Sequence, residues 1–418
     1  MEKTVTTIES IPKVTGEYLK PTKILASKRK YIIHVGIAGF PIGFAAINRI
    51  KHTLEALSLS GFDTLAISKR NLQDRSHLKK AGRTAKVAYV NTSFFSTKQK
   101  SFIAKRIDQI SGLIGELILL FKKKKRTHAF IYYGTSFIEL CYYRLLSFFL
   151  GAKLFVQYVE YRSSFENRMG IHKRINDFFF DRYLPKFCDG IIAISEFLRS
   201  RVLSFDKQAK VFKLPAICDY NAFPELNSSP EYPYLMYCGS VFYHEVICFI
   251  IDVFKKLKDE HKYKGKLVLV CGSHHNSFSA IISRKITESQ LGDDIILKEH
   301  ISYDELYGLY KGAQVLFIPL RNSVQDIARF PHKVGEYTAS GRPFISTRIG
   351  EISHYFEDGK NALLAEDYSV DSYYQKLSEV LDSPDILTEI GRNGYYTGRR
   401  SFHYATFSES LGRFIREH

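Results

Sequence analysis

Short apolar runs alternate along this chain with longer stretches in which apolar residues return every three or four positions. The first run, YIIHVG at 31–36, reads as a strand. A glycine-bearing loop, GIAGFPIGFAA, follows at 36–46. A helix at about 45–59 then places Ile47, Ile50, Leu54 and Leu57 on one face. The next strand is FDTLAIS at 62–68. Further strands are expected at 86–90, 128–132, 153–158 and 190–194, with helices at 98–121, 135–150, 164–180 and 195–202. VFKLPA at 211–216 closes this half. The segment 221–233, NAFPELNSSPEYP, has no periodicity and reads as a linker. The alternation then restarts, with strands at 234–239, 266–272, 295–299, 315–320 and 343–347. Between and after them come helices at 244–258, 276–289, 303–310 and 369–382. The strands are apolar enough to be buried on both faces, the mark of parallel sheets.

The expected architecture is α/β, with two Rossmann-like parallel-sheet domains. An N-terminal extension covers 1–30, the first domain 31–220, the linker 221–233 and the second domain 234–395. A C-terminal helix, 396–418, returns to the first domain. A chain of 418 residues suits two cores rather than one.

Charge changes this picture more than composition does. Residues 1–210 carry 37 Lys and Arg against 16 Asp and Glu, while the remainder carries 23 against 27. The first half therefore faces something anionic: a membrane surface, a phosphorylated acceptor or nucleic acid. No zinc finger, RNA-recognition signature or coherent arginine stripe is present, so nucleic acid is not expected. The six cysteines are scattered without a CxxC pair, which fits a reducing compartment. No cleavable signal and no uninterrupted apolar stretch of about 18 residues is visible. The expected location is cytoplasmic, peripheral at the inner face of a membrane.

Three groups of residues carry candidate chemistry. The glycine loop holds Gly36, Gly39 and Gly43 at a spacing that fits neither a dinucleotide fingerprint nor a Walker motif. Glycines there bring backbone close to a ligand, or serve a tight turn alone. The segment 321–337 gathers Arg321, Asp326, Arg329, His332, Lys333 and Glu336 after the strand VLFIPL. Cations can hold a diphosphate while a carboxylate binds sugar or ribose hydroxyls. The plainer alternative is a solvated helix with an ordinary ion pair. The loops at 239–244, 272–276 and 348–352 would meet that segment at one sheet edge if the strands are parallel. Gly239 and Ser240 would then approach a phosphate, and Glu351 would complement Glu336 or lie at the surface. His274 and His275 are adjacent and point opposite ways in an extended segment, which argues against a metal pair. No GxSxG elbow is present.

Residues 103–126 join an apolar helical stripe, from Ile103 through Ile110 and Ile114 to Phe121, to the basic run Lys122–Arg126. Such a helix lies at a lipid interface, or is a core helix whose lysines complement its dipole. The regional charge favours the interface. Tyr132, Tyr133, Tyr142, Tyr143, Phe148 and Phe149 add aromatic surface or core.

The block FPHKVGEYTASGRPFISTRIGEISHYFEDGKNALL at 330–364 resembles the retaining GT-B glycosyltransferases, the large family called glycosyl transferases group 1. VLFIPL before it, YLMYCGS at 234–240, GIIAISEFLRS and KLPAICDYNAF within 190–223 extend the likeness to roughly residues 31–400. The resemblance implies two domains facing a cleft and transfer of a sugar from a UDP- or GDP-sugar with retention of configuration. The acceptor would be lipid-linked or a saccharide, in cell-surface polysaccharide synthesis. It assigns Glu336 to ribose or donor hydroxyls, Lys333 to the donor phosphates, and Gly39 with its neighbours to the diphosphate or reacting centre. It implies no divalent metal, with cations and helix N-termini neutralising the diphosphate. Two features depart from the family pattern. Ala328 stands where a second carboxylate is usual, leaving Asp326 or Arg329 nearby. GSVFYHEV carries Tyr243, His244 and Glu245 where an Arg and a Lys are usual. These departures keep two other readings open: a nucleotide-sugar epimerase of the same fold, and a non-catalytic scaffold of a polysaccharide assembly complex.

Overall fold

The computed structural model describes residues 30–43, 45–70, 79–165, 170–223, 230–272 and 276–418. Residues 1–29 of the expected extension over 1–30, the middle of the linker, and His274 and His275 lie outside them.

The first domain runs β1 (Tyr31–Ile37), α1 (Ala45–Leu59), β2 (Asp63–Ser68), β3 (Ala81–Thr84), β4 (Val87–Asn91), α2 (Phe102–Lys123) and β5 (Thr127–Tyr133). It continues α3 (Phe137–Leu150), β6 (Lys153–Tyr158), α4 (Ile171–Tyr183), β7 (Gly190–Ala193), α5 (Glu196–Phe205) and β8 (Val211–Lys213). The second domain runs β9 (Tyr234–Ser240), α6 (His244–Asp259), β10 (Lys266–Gly272), α7 (Asn276–Ser289), β11 (Ile295–Lys298), α8 (Tyr303–Gly312), β12 (Val315–Ile318) and α9 (Val324–Ala328). Then come α10 (Lys333–Ala339), β13 (Phe344–Thr347), α11 (Ile352–Tyr355), β14 (Leu363–Ala365), α12 (Val370–Ser378), α13 (Pro384–Phe402) and α14 (Ser408–Glu417).

Among the described residues the first sheet has the order β3-β4-β2-β1-β5-β6-β7-β8 and the second β11-β10-β9-β12-β13-β14. All pairings are parallel except β3 with β4. That antiparallel edge strand was not expected; it is short, polar and glycine-bearing, so no apolar run announces it. Strand order reverses between β1 and β5 and between β9 and β12. Such switch points leave a crevice at the carboxyl ends of parallel strands. Right-handed crossovers then put α2, α3 and α4 on one face of the first sheet and α1 on the other. The packing agrees: Leu120, Tyr143 and Phe180 share one core, while Ile50 and Leu54 share another with Phe414 of α14.

The two domains are stitched twice. The outgoing chain meets the returning one at a bridge between Cys218 and His403. Helix α14 then packs on α1, and Phe414 stands edge-on to Phe155 of β6 at 5.6 Å. The break falls at 403, later than the boundary set at 395/396. Helix α13 continues to Phe402 because its glycine-lined face still packs on α10.

Helix α2 inverts the usual arrangement. It buries Asp108, Ser111, Gly112 and Glu116, and exposes its isoleucines. The inward polar groups have partners. Ser93 bonds Asp108, and the Tyr143 hydroxyl lies 3.1 Å from both Glu116 carboxylate oxygens. Burial pushes the Glu116 carboxyl up to about 7, against the pull of Lys69. A raised folded-state value favours the folded state most below the unfolded carboxyl range, and that advantage is lost as pH rises through 7. A Glu116→Gln variant is therefore expected to gain melting temperature relative to wild type at pH 8 and little at pH 4. Equal differences at both pH values, read by calorimetry, would contradict a buried titrating carboxyl.

Candidate active site

Helix α10 is seated before its functional groups are presented. Val334 and Tyr337 are buried, and the Tyr337 hydroxyl accepts the Cys238 N–H of β9 at 3.2 Å. Thr338 meets the Tyr220 hydroxyl at 2.6 Å. Gly335 rests on the crossing segment, where a Cβ would lie 3.0 Å from that of Cys218. These contacts leave Glu336 on the open side, half-buried and facing the first domain.

One further helix of the second domain, α8, and one of the first, α1, reach that carboxylate. The Tyr310 hydroxyl donates to Glu336 at 3.4 Å, and Asn48 of α1 hydrogen-bonds it from across the cleft. Asn48 also donates to the Tyr303 hydroxyl at 3.3 Å, and Tyr303 donates to the Gly43 carbonyl. Burial pushes the Glu336 carboxyl above its ordinary value; Lys333 and the Asn48 hydrogen bond oppose it. His332, beside Arg49 and His52 of α1, is held neutral: burial first, and then these two basic neighbours, bring it down to about 3.

Two cations at this edge of the sheet have aromatic supports, and Lys333 also acts on Glu336. Lys333 lies 4.9 Å from the centre of the Tyr237 ring, and Arg329 lies 5.0 Å from that of Tyr243. Such stacking holds Lys333 without neutralising it, whereas Arg329 is also paired with a carboxylate, that of Asp326. Tyr237 folds over Gly239, where a Cβ would fall 2.3 Å from its hydroxyl. Ser240 is exposed and caps the turn Val241–Tyr243 by accepting the Phe242 N–H at 3.3 Å. Strand β9 and the loop after it thus supply the rings, and the segment after β12 supplies the charges.

Three expected roles do not match this geometry. Gly39 is buried, and its N–H already donates to the Ser68 hydroxyl and the Arg70 carbonyl, each at 2.9 Å. The cleft instead meets Gly43 of the same loop. Asp326 does not stand in for the carboxylate absent at Ala328. It is buried between Arg329 at 2.5 Å and Arg321 at 3.2 Å, and it fixes the loop that carries Arg329. Glu351 does not complement Glu336. It pairs with Lys213 at 2.9 Å and accepts the Glu196 N–H at the start of α5, tying the second domain to the first. Ala328 turns its carbonyl to the Ser195 hydroxyl at 2.5 Å in the same seam. Asn48, Tyr237, Tyr303 and Tyr310 were not anticipated. A polar residue set between Ile47 and Ile50 just after the glycine loop was the available signal for Asn48. Among the described residues no three His, Cys, Asp or Glu side chains converge as a metal site.

Comparisons with known proteins bear on the fold that carries these residues. Residues 220–397 match the family described as Glycosyl transferases group 1. An uncharacterized glycosyltransferase of Methanocaldococcus jannaschii is 23% identical over 224 residues. That match spans 52% of this chain and 56% of the relative's length. The sucrose-phosphate synthase of Thermosynechococcus elongatus superposes with a TM-score of 0.73 at 14% identity, over 93% of this chain and 99% of that one. HepE of Anabaena, solved with UDP and glucose, gives 0.68 at 11% identity, over 93% and 100%. At these identities the superpositions show the fold: two Rossmann-like domains in the GT-B arrangement.

The two carboxylates carry opposite expectations for stability. Removing Glu351 leaves the Lys213 charge and a helix N–H without their partner, so Glu351→Ala is expected to cost about 3 kcal/mol. Glu336 faces the cleft, so Glu336→Ala is expected to stay within about 1 kcal/mol of wild type. Denaturant unfolding of both variants checks this; equal losses would contradict the two placements.

Proposed function

We propose that this chain, whose residues 220–397 match the glycosyl transferases group 1 family, moves a sugar from a nucleotide-diphosphate sugar to a hydroxyl acceptor. The observation that carries the proposal is the grouping of Glu336, Arg329 and Lys333 at the second sheet's switch point, with Asn48 reaching Glu336 from the first domain. A diphosphate needs positive charge within reach: Lys333 rests on the Tyr237 ring, and Arg329, stacked on Tyr243, is held in place by its pair with Asp326. A ribose or hexose needs a carboxylate that accepts from hydroxyls, and Glu336 faces the cleft.

In this reading the C1–oxygen bond of the donor breaks and its electron pair stays on the diphosphate. The acceptor oxygen bonds C1 on the same face, and its proton passes to the departing phosphate oxygen. Arg329 and Lys333 stabilise the charge that grows on the leaving group. They take the place of the Arg and Lys usual after the second domain's first strand. The Tyr303, Asn48 and Gly43 contacts close one side of the cleft and keep water from the reacting carbon. The HepE complexes with UDP make UDP the first nucleotide to try, with GDP next. The acceptor is lipid-linked or a saccharide in cell-surface polysaccharide synthesis. The enzyme works from the cytoplasmic side, peripheral to the membrane, through its basic first domain. Ala328 favours one other reading, a scaffold that kept the fold without transfer.

Lys333→Ala and Glu336→Ala are each expected to lower transfer about 100-fold with the fold intact, and Arg329→Ala to lower transfer as much while also losing stability, because it takes a partner from buried Asp326. Wild-type rates in all three, measured by release of nucleoside diphosphate, would remove the site assignment. Neutralisation by side chains makes the reaction independent of added metal. Activity unchanged by a chelator is expected; loss restored by a divalent cation would contradict it.

A further inference from the structure

The first domain presents a face that its own packing leaves uncovered. On α2, Ile103, Ile110, Ile114 and Phe121 are exposed. The stripe does not stop there. Ile138 and Phe148 of α3 are 80% and 77% exposed, and Ile171 and Phe178 of α4 are exposed beside them. The three helices are one surface: Phe137 of α3 packs against Phe179 of α4 at 5.6 Å, and Lys124 beyond α2 donates to the Phe149 carbonyl of α3 at 2.9 Å. Soluble monomers rarely expose so much contiguous apolar surface.

The charges on this face are sorted by sign. Asp108 and Glu116 of α2 and Asp177 and Asp181 of α4 are all buried, and Glu139 of α3 pairs with Lys69 at 2.6 Å. Lys105, Lys122, Lys125 and Lys173 are exposed. Not all of the basic run is available: Lys123 lies over the Tyr31 ring at 4.9 Å and Arg126 pairs with Asp63 at 2.8 Å. A surface of exposed apolar side chains and lysines, with its acids turned inward, fits a partner that is apolar beneath and anionic at its rim. A second copy of this face would bring like charge against like charge.

We infer that the outer face of α2, α3 and α4 docks on an anionic phospholipid bilayer. The apolar side chains enter the headgroup boundary and the lysines meet the phosphates. No described helix is long and apolar enough to cross a membrane, so the contact is peripheral. The amino ends of all three helices follow the carboxyl ends of β4, β5 and β6, the edge that also borders the cleft. A docked molecule therefore holds the cleft mouth near the lipid surface, where a lipid-linked acceptor would be presented. This deepens the peripheral placement proposed for the enzyme, but the docking itself does not depend on the transfer reaction.

The test is sedimentation of the full chain with phosphatidylcholine vesicles, with and without phosphatidylglycerol, in the absence of any sugar donor. Binding to the anionic vesicles is expected, weakened about tenfold or more in Lys122→Glu/Lys125→Glu. The pair Ile110→Glu/Phe148→Glu, both at exposed positions, is expected to lose binding as well, with an unchanged melting curve. Transfer to a water-soluble acceptor should be unaffected by either pair, which separates this inference from the enzymatic one. No sedimentation of wild type, or variants that bind like wild type, would overturn it. So would a wild-type dimer in ultracentrifugation that Ile110→Glu/Phe148→Glu abolishes, since a second copy would then be the occupant.

Discussion

The short helix α10 can sit where it does because Gly335 has no side chain to collide with the chain crossing between the domains. That close approach fixes the rest of the site. It lets Tyr337 reach the end of β9 and Thr338 reach Tyr220, so the helix is pinned to its own sheet and to the crossover at once. Glu336 then has one direction left, towards the first domain. The arrangement holds a half-buried carboxylate with donors from both sides of the cleft, at the cost of a raised proton affinity that Lys333 partly offsets.

A second constraint acts across the same interface. Arg49 of α1 is fully buried and spends its guanidinium on Gln157 and on the carbonyls of Leu214 and Pro215, at 2.7 to 3.0 Å. Burial lowers it only to about 10, so it stays charged at neutral pH. It locks α1, and with it Asn48, to the segment that leads into the second domain. Glu351 with Lys213 does the same at the far end of the cleft. The cleft walls are therefore positioned by buried polar ties. The outer face of the first domain keeps its apolar and basic residues exposed.

Much of this was legible in the chain. The twofold alternation of strand and helix gave the two sheets, and the segment from Pro331 to Pro343 announced a ligand-facing helix after a strand. What escaped reading has a common physical cause. Asn48 and Tyr303 are 255 positions apart, and no local pattern encodes their contact. Periodicity places the isoleucines of α2 on one face but does not say which face meets the sheet; its inversion follows from the partners that Asp108 and Glu116 find. Glu351 follows a strand like any cleft residue, yet its direction is set by Lys213 and α5, which only the packed domains bring near.

The central claim is that Arg329, Lys333 and Glu336 together grip a nucleotide-diphosphate sugar. Titration calorimetry of UDP-, GDP-, ADP- and CMP-linked sugars against wild type and an Arg329→Ala/Lys333→Ala double variant tests it most directly. The account predicts that one nucleotide class binds wild type and that the double variant loses that heat. Binding of none of them, or equal affinity in the double variant, would contradict it.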